Sequence, residues 1–423
     1  MKSVSRIALG VAIIVGAGSV VATAPAEAKK KPAAPAAQPG ARVMKFTPAE
    51  RAALQPVQTA ITAKNWTAAA AALPAAEAAA QGPDAKYAVA RFRLEIGLGL
   101  NDLAMQSAAI DALIATGQIP AADLPSFYTN QGVLASNAGN KQKAETAFAK
   151  VIELTPNDPQ ALINLATVKN DLRKPSEAVA LIQRAIDAKK AMSQPVEESW
   201  YKYALKLAYD GRSNPALRAA TGRLSRELVA AYPTKENWRD ALLIFRETSS
   251  LDPAAELDVL RFMRASGALA GERDWYELID GLYRAGNYGE AKKVLDDGVA
   301  RRMIDPKKAA FAELIRLNNA RLNGDRASLG AEEAKALAGS SGALALKIGD
   351  AFYGYGENAK AIALYRAALA KGGVDANLVN TRIAMALLAS GDRAGAEAAF
   401  KALTGSRADL GAFWVAWMAR SGS

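Results

Sequence analysis

The 423-residue chain carries 53 basic and 42 acidic residues, a formal net charge of +11, and contains neither cysteine nor histidine. Without these two residue types, disulfides, thiolate or imidazole metal ligands, cysteine nucleophiles and histidine general bases are excluded. Hydrophobic residues make up 51% of the chain but aromatic residues only 7%, which favours closely packed, alanine-rich helices. We therefore predict an all-α protein that is not an enzyme and needs no cofactor or metal, although carboxylate and lysine chemistry are not excluded by composition.

The N-terminus has the pattern of an export signal. Lys2 and Arg6 precede an uncharged run that ends in Ala26-Glu27-Ala28, a small-x-small sequence of the kind that signal peptidase cuts. Residues 1–28 are thus predicted to be a secretory signal peptide, and the mature protein to be periplasmic or exported. The alternative is an inner-membrane anchor formed by residues 7–26.

A linker is predicted to follow the signal. Residues 29–45 are rich in lysine, proline and alanine and begin KKKPAAPAAQPG, a composition with too little apolar surface to offset the entropy of ordering. The first helix is expected directly afterwards, because Thr47-Pro48-Ala49-Glu50 combines a capping hydroxyl, a first-turn proline and a glutamate.

The main signal in the rest of the chain is self-similarity. Residues 275–295 and 345–369 align on Gly286 and Gly356, and each segment reads as helix, tight turn, helix. Apolar residues at i, i+3, i+4 and i+7 form one face, the glycine allows the turn, and a matching alanine lets the second helix cross closely. One such hairpin cannot bury its own apolar face, so successive hairpins must stack.

A further segment, residues 125–158, carries small and apolar residues in a fixed order, and the next unit repeats them at an offset of 34 residues. In the first unit these residues are Tyr128, Gly132, Ala135, Gly139, Ala144, Phe148, Val151 and Pro156, and in the second they are Leu162, Leu165, Ala166, Ala178, Ile182 and Ala185. The pattern and its period resemble the tetratricopeptide repeat family, in particular an exported bacterial member. The resemblance implies an α-solenoid of about ten helical hairpins with a C-terminal capping helix.

The match is uneven along the chain. A weak hairpin is predicted over residues 306–337, and the region from 193 to 340 as a whole is irregular, which makes it the expected place for specificity. The predicted segments are degenerate repeats at 46–122, two regular units at 123–192, irregular hairpins at 193–340, two regular units at 341–405 and a capping helix at 406–423.

The resemblance also implies where a partner binds. In this family the first helices of successive hairpins line a concave groove, and the positions of this chain that match it include two asparagines 34 residues apart, able to hydrogen-bond an extended peptide, and tyrosines of the kind enriched at interfaces. The predicted partner-binding residues are Asn130, Asn164, Tyr276, Asp280, Tyr283, Arg284, Asp350 and Tyr353. Inter-hairpin packing accounts for the tyrosines about as well as binding does.

These observations favour a periplasmic scaffold or adaptor that holds a protein or an extended peptide, in envelope assembly or polymer export. The alternative is a groove that binds a cell-wall glycan, with tyrosines stacking on sugars and positive charge attracting acidic polymer. A nucleic-acid partner is not expected, because basic and acidic residues are interleaved without a sustained basic block. Contact with a membrane is expected only through the partner or an uncleaved signal.

Overall fold

The computed structural model describes residues 44–420, so the predicted signal peptide, the alternative anchor and the linker up to residue 43 lie outside the described residues. The described part of the chain contains twenty α-helices and no strand, which confirms the all-α prediction. It divides into two compact units, unit 1 up to Pro195 and unit 2 from Val196. No helix between residues 44 and 420 is long and apolar enough to cross a bilayer.

Unit 1 contains four helical hairpins, in which each odd-numbered helix pairs with the next. Its helices are α1 (Pro48–Thr62), α2 (Trp66–Ala79), α3 (Pro83–Gly99), α4 (Leu103–Ala115), α5 (Leu124–Asn137), α6 (Lys141–Leu154), α7 (Pro159–Asp171) and α8 (Pro175–Ala191). The expected start of α1 is present: Thr47 accepts a hydrogen bond from the Glu50 amide, and the Glu50 carboxylate accepts one from the Thr47 amide.

The α5/α6 hairpin shows why the repeat needs small residues. A Cβ atom added to Gly132 would lie 2.6 Å from the Phe148 ring, so only glycine allows the two helices to cross at this distance. Ala144 and Val151, on the same helix as Phe148, are fully buried. The turn runs through Gly139, whose φ of +76° is a conformation that glycine adopts without strain.

Unit 2 contains five hairpins, one long unpaired helix and a terminal helix. Its helices are α9 (Glu198–Asp210), α10 (Pro215–Ala231), α11 (Lys235–Thr248), α12 (Pro253–Ser266), α13 (Gly271–Arg284), α14 (Tyr288–Ala300), α15 (Ala309–Ala338), α16 (Gly342–Tyr355), α17 (Asn358–Lys371), α18 (Ala376–Ala389), α19 (Arg393–Lys401) and α20 (Ser406–Met418). The hairpin predicted over residues 306–337 is wrong: α15 runs through this segment as one helix of 30 residues.

The terminal helix α20 covers the last hairpin, where the Trp414 ring stacks on Phe400 at 5.2 Å. It also packs against α10 and α12, which are far away in sequence. Phe413 lies edge-on to Phe245, with ring centroids 5.6 Å apart, and Trp414 packs on Phe262 at 4.5 Å. The apolar face of α20 is therefore buried within unit 2, and α12 is enclosed so completely that every residue from Leu257 to Met263 is buried.

Candidate protein-binding surface

Three first helices of unit 2, α9, α11 and α13, are joined side by side by ion pairs. Arg212, just after α9, donates from Nη2 to Glu247 Oε1 of α11 at 2.8 Å. On the other side of α11, Arg246 pairs with Glu277 of α13, and Arg239 pairs with Asp274. These links fix the spacing of the row, and two clefts open beside its helices.

The first cleft, called the α12–α13 cleft, has a volume of about 590 Å³. Leu251, Leu257 and Leu260 form its apolar floor, and Tyr276 stands at its edge with 37% of its surface exposed. The complete lining is Leu251, Pro253, Glu256, Leu257, Leu260, Arg273, Tyr276, Glu277, Asp280 and Gly281. An open depression with an apolar floor and a charged rim is suited to holding a side chain of a partner.

Most charged side chains on this rim have an ionic partner within the protein. Arg246 Nε donates to Glu256 Oε2 at 2.8 Å and the same guanidinium pairs with Glu277, while Arg284 Nε donates to Asp280 Oδ2 at 2.6 Å. Burial alone would lower the pKa of Arg246, but the hydrogen bonds to Glu277 and Glu256 outweigh it and raise that pKa. Among the described residues Arg273 has no ionic partner, so it is the unpaired charge of this cleft.

A second cleft, called the α9–α11 cleft, has a volume of about 520 Å³. Its lining combines aliphatic side chains with both signs of charge: Lys202, Leu205, Lys206, Tyr209, Leu228, Asp240, Leu243, Ile244 and Glu247. Tyr209 is fixed at its edge, because its hydroxyl bonds to Glu247 and the Arg212 guanidinium lies 4.1 Å from the centre of its ring. Two apolar depressions therefore border the same row of first helices.

Behind this row, the interior of unit 2 contains a buried network of charges, the ionic core, made of Asp258, Arg261, Glu290, Asp350, Arg382 and Arg407. Asp258 is fully buried and accepts hydrogen bonds from Arg261 Nη1 at 3.0 Å, from Arg407 Nη1 at 2.6 Å and from Arg382. Arg261 also donates to Glu290, from Nε at 2.8 Å and from Nη2 at 2.6 Å. The ionic core thus contains three carboxylates and three guanidinium groups, and all of these side chains except the half-buried Asp350 are buried.

Asp350 completes the ionic core on the side of α16. Its Oδ1 atom lies 3.1 Å from Arg382 Nε and accepts a hydrogen bond from the Tyr365 hydroxyl at 2.8 Å. Burial raises the pKa of Asp350 to about 6, although Arg261 and the Tyr365 hydroxyl act in the opposite direction. Burial also raises the pKa of Tyr353 and of Tyr365, so both phenols stay protonated at neutral pH.

Residues 129–193, which run from α5 to just beyond α8, match the sequence model of the tetratricopeptide repeat family. This part of the chain therefore carries tetratricopeptide repeats. Proteins with this repeat serve as scaffolds for protein–protein interaction, and the open row of first helices fits that general role. No curated protein shows significant sequence similarity to the chain.

Several solved structures are similar to parts of the chain, with low TM-scores. PilW, a type IV pilus biogenesis factor, has a TM-score of 0.27 and 17% identity over 44% of this chain and 80% of its own. A tetratricopeptide repeat protein from Parabacteroides merdae has a TM-score of 0.28 and 11% identity over 81% and 100% of the two chains. PilF of Pseudomonas aeruginosa has a TM-score of 0.24 and 14% identity over 63% and 97%. Similarities this low carry no argument about function.

The eight predicted partner-binding residues occupy three different settings. Tyr276 and Asp280 line the α12–α13 cleft, and Tyr283 and Arg284 follow on the same helix. Asp350 belongs to the ionic core, and Tyr353 packs at the edge of the apolar core. Asn130 and Asn164 lie in unit 1, where they differ in accessibility: Asn130 is buried and donates to the Ser126 carbonyl, whereas Asn164 is half-buried and accepts from Gln160.

Two features of the site did not follow from the repeat pattern. The floor of the α12–α13 cleft comes from a second helix, α12, although the family pattern assigns binding to first helices. The ionic core was also missed, even though a signal for it exists: Asp258 and Arg261 interrupt the apolar run from Leu257 to Met263. Charges within such a run have to meet partners inside the protein.

Proposed function

We propose that this protein is a periplasmic scaffold that holds an extended segment of a partner protein along α9, α11 and α13. The observation that carries the proposal is the pair of apolar clefts on one row of first helices. The α20 helix and the ionic core occupy the interior of unit 2, whereas the two clefts along this row are open to a partner.

The chemistry of the α12–α13 cleft defines the segment it would accept. The leucine floor favours an aliphatic or aromatic side chain. At the rim, Glu256 and Glu277 share Arg246, and Asp280 pairs with Arg284, whereas Arg273 has no ionic partner and can pair with a carboxylate of the bound segment. The preferred segment thus has an apolar residue next to an acidic one, because an unmatched acid or base would be desolvated at a cost.

The export part of the proposal rests on the sequence of residues 1–28. Cleavage after Ala28 gives a mature protein that begins at Lys29. Mass spectrometry of the protein recovered from the periplasmic fraction tests this start directly. Recovery of the intact N-terminus with the membrane fraction supports the alternative anchor formed by residues 7–26. Within the envelope, we place the scaffold in envelope assembly or polymer export.

Crosslinking in cells tests the binding surface. A photoreactive phenylalanine analogue that replaces Tyr276 lies at the edge of the cleft. The same analogue in place of Val299 is the matched control, because Val299 of α14 is 38% exposed but does not line the cleft. We expect a crosslinked protein from position 276 and not from position 299. Equal capture at both positions contradicts a specific site.

Variants of Arg273 test the partner chemistry. Arg273→Glu should weaken capture at position 276 by about tenfold, whereas Arg273→Lys should retain most of it, because the carboxylate needs a positive charge at the rim. Equal capture by both variants removes the acidic partner from the proposal.

The glycan alternative predicts a different result. Purified cell-wall polymer should then sediment the protein at low salt and release it at high salt. Two of the three candidate tyrosines provide limited support for it: Tyr283 packs against Tyr288, with ring centroids 5.7 Å apart, and Tyr353 is partly buried in the core. A protein segment is therefore the partner that the clefts favour.

A further inference from the structure

The long helix α15 contains the sequence of a hairpin turn. Gly324-Asp325-Arg326-Ala327 is identical to Gly391-Asp392-Arg393-Ala394, the segment that joins α18 to α19. At that second site the chain reverses: Gly391 has a φ of +88°, and Asp392 caps the next helix by accepting a hydrogen bond from the Gly395 amide at 2.8 Å. The same four residues therefore occur in two conformations within one unit.

The middle of α15 is weakly held as a helix. No residue between Asn318 and Leu329 is buried, and Gly324 lies in the helix interior with no atom near the position of a Cβ. Glycine in place of alanine lowers the equilibrium constant for the helical state by about fivefold. Helical residues with few buried contacts open at low free energy.

The two halves of α15 are attached to different neighbours. In the first half, Phe311 packs edge-on against Tyr276 at 5.9 Å, and Asn318 Nδ2 donates to the Tyr288 carbonyl at 3.1 Å. In the second half, Leu329 and Ala336 are buried in the core formed with α16 and α17. Each half is thus anchored independently of the other.

Few polar contacts hold the joint between them. The Tyr355 hydroxyl donates to Asp325 Oδ2 at 2.7 Å, and Arg326 pairs with Glu357 at 2.7 Å while its guanidinium lies 4.7 Å from the centre of the Tyr355 ring. These contacts come from Tyr355, the last residue of α16, and from Glu357, the N-cap residue of α17. The state of the joint therefore depends on the position of the turn between α16 and α17.

We propose that α15 is a conformational hinge, which opens at Asn323-Gly324-Asp325 into the turn that Ser390-Gly391-Asp392 adopts between α18 and α19. In the open state Gly324 takes a positive φ and Asp325 exchanges its bond to Tyr355 for a helix cap. Because Phe311 of the same helix supports Tyr276, opening of the hinge alters the edge of the α12–α13 cleft.

Hydrogen exchange of the full chain, followed by mass spectrometry, tests the hinge. In the wild type we expect amides 321–327 to exchange at least tenfold faster than those of 311–318 and 330–336. Gly324→Ala should slow exchange at the joint by more than about tenfold, because alanine favours the helix and disfavours the positive φ of the turn.

Gly330→Ala is the matched control, since Gly330 is exposed in the same helix and also has open space at its Cβ position. Gly330→Ala should slow exchange at the joint by about fivefold or less, because it changes helix propensity alone. Tyr355→Phe, which removes the hydroxyl that binds Asp325, should accelerate exchange at the joint several-fold. Equal slowing by the two glycine variants, or a wild-type joint as protected as its flanks, overturns the proposal.

Discussion

The α5/α6 hairpin of unit 1 and the α16/α17 hairpin of unit 2 use the same crossing. A Cβ on Gly132 would lie 2.6 Å from Phe148, and a Cβ on Gly349 would lie 2.7 Å from Tyr365, with the same separation of 16 residues along the chain. Their surroundings differ. Phe148 packs among apolar residues, whereas the Tyr365 hydroxyl binds Asp350 and so joins its hairpin to the ionic core.

The two units also differ in how far apart in sequence their contacting residues lie. In unit 1 the ties between elements connect neighbours, as when the Glu50 carboxylate accepts from the Gly82 amide, 32 residues away. In unit 2, Asp258 binds Arg382 and Arg407, which are 124 and 149 residues away. The same repeat therefore builds a unit stabilised by local packing and a unit closed by distant buried charges.

The largest expected effect comes from Asp258→Ala. The substitution leaves Arg261, Arg382 and Arg407 buried without their shared acceptor, and breaking a buried ion network in this way costs about 3–5 kcal/mol. Five of the six tryptophans lie in unit 2, so denaturant unfolding followed by tryptophan fluorescence reports the loss. Asp280→Ala is the control. It breaks the ion pair with the exposed side chain of Arg284 and should lower the free energy of unfolding by under about 1 kcal/mol. A similar loss of unfolding free energy in both variants would show that the ionic core does not stabilise unit 2.

Overpacking the helix crossings tests what the units share. Ala144 in α6 and Ala361 in α17 are both fully buried at equivalent places in their hairpins. Tryptophan at either position should lower the free energy of unfolding by about 1–3 kcal/mol. We expect Ala144→Trp to lower the temperature at which circular dichroism detects loss of helix. Most of the unfolding transition of unit 2 that tryptophan fluorescence detects should remain unchanged. An unaltered melting curve for either variant would mean that its hairpin register is wrong.

The smallest expected effect is a pH dependence confined to unit 2. Because the pKa of Asp350 is raised to about 6 in the folded protein, the folded state holds this proton more tightly than the unfolded chain. The contribution of Asp350 to stability is therefore greatest at low pH and falls as pH rises from about 4 to 6. Between pH 4.5 and 7.5 the wild type should lose about 1–2 kcal/mol relative to Asp350→Asn. Parallel stability profiles for the two proteins would contradict the raised pKa.

Much of the fold was predictable because it depends on neighbours in sequence. The 34-residue offset between the units at 125–158 and 159–192 reflects contacts within and between adjacent hairpins, and the structure has both hairpins there. The α15 helix was not predictable in the same way. Its Gly324-Asp325 pair is a turn signal, and packing of the two halves against different helices overrides it.

The candidate site was predictable in part for a related reason. The family pattern led to α13, and Tyr276 and Asp280 do line a cleft. It could not distinguish the groove-facing positions of α13 from those of α16, where Asp350 meets Arg382 in the ionic core instead. That difference depends on how distant helices of unit 2 pack together, which the sequence of a single repeat does not encode.

The sequence by itself determined the helical class, the hairpin repeat and the exclusion of cysteine and histidine chemistry, because composition and short-range periodicity act within one or two hairpins. The tertiary structure alone decided that α20 returns to α10 and α12, that Asp258 gathers three arginines, and that clefts remain beside α9, α11 and α13. Those outcomes depend on packing between hairpins that are distant in sequence, which the pattern within one hairpin does not specify.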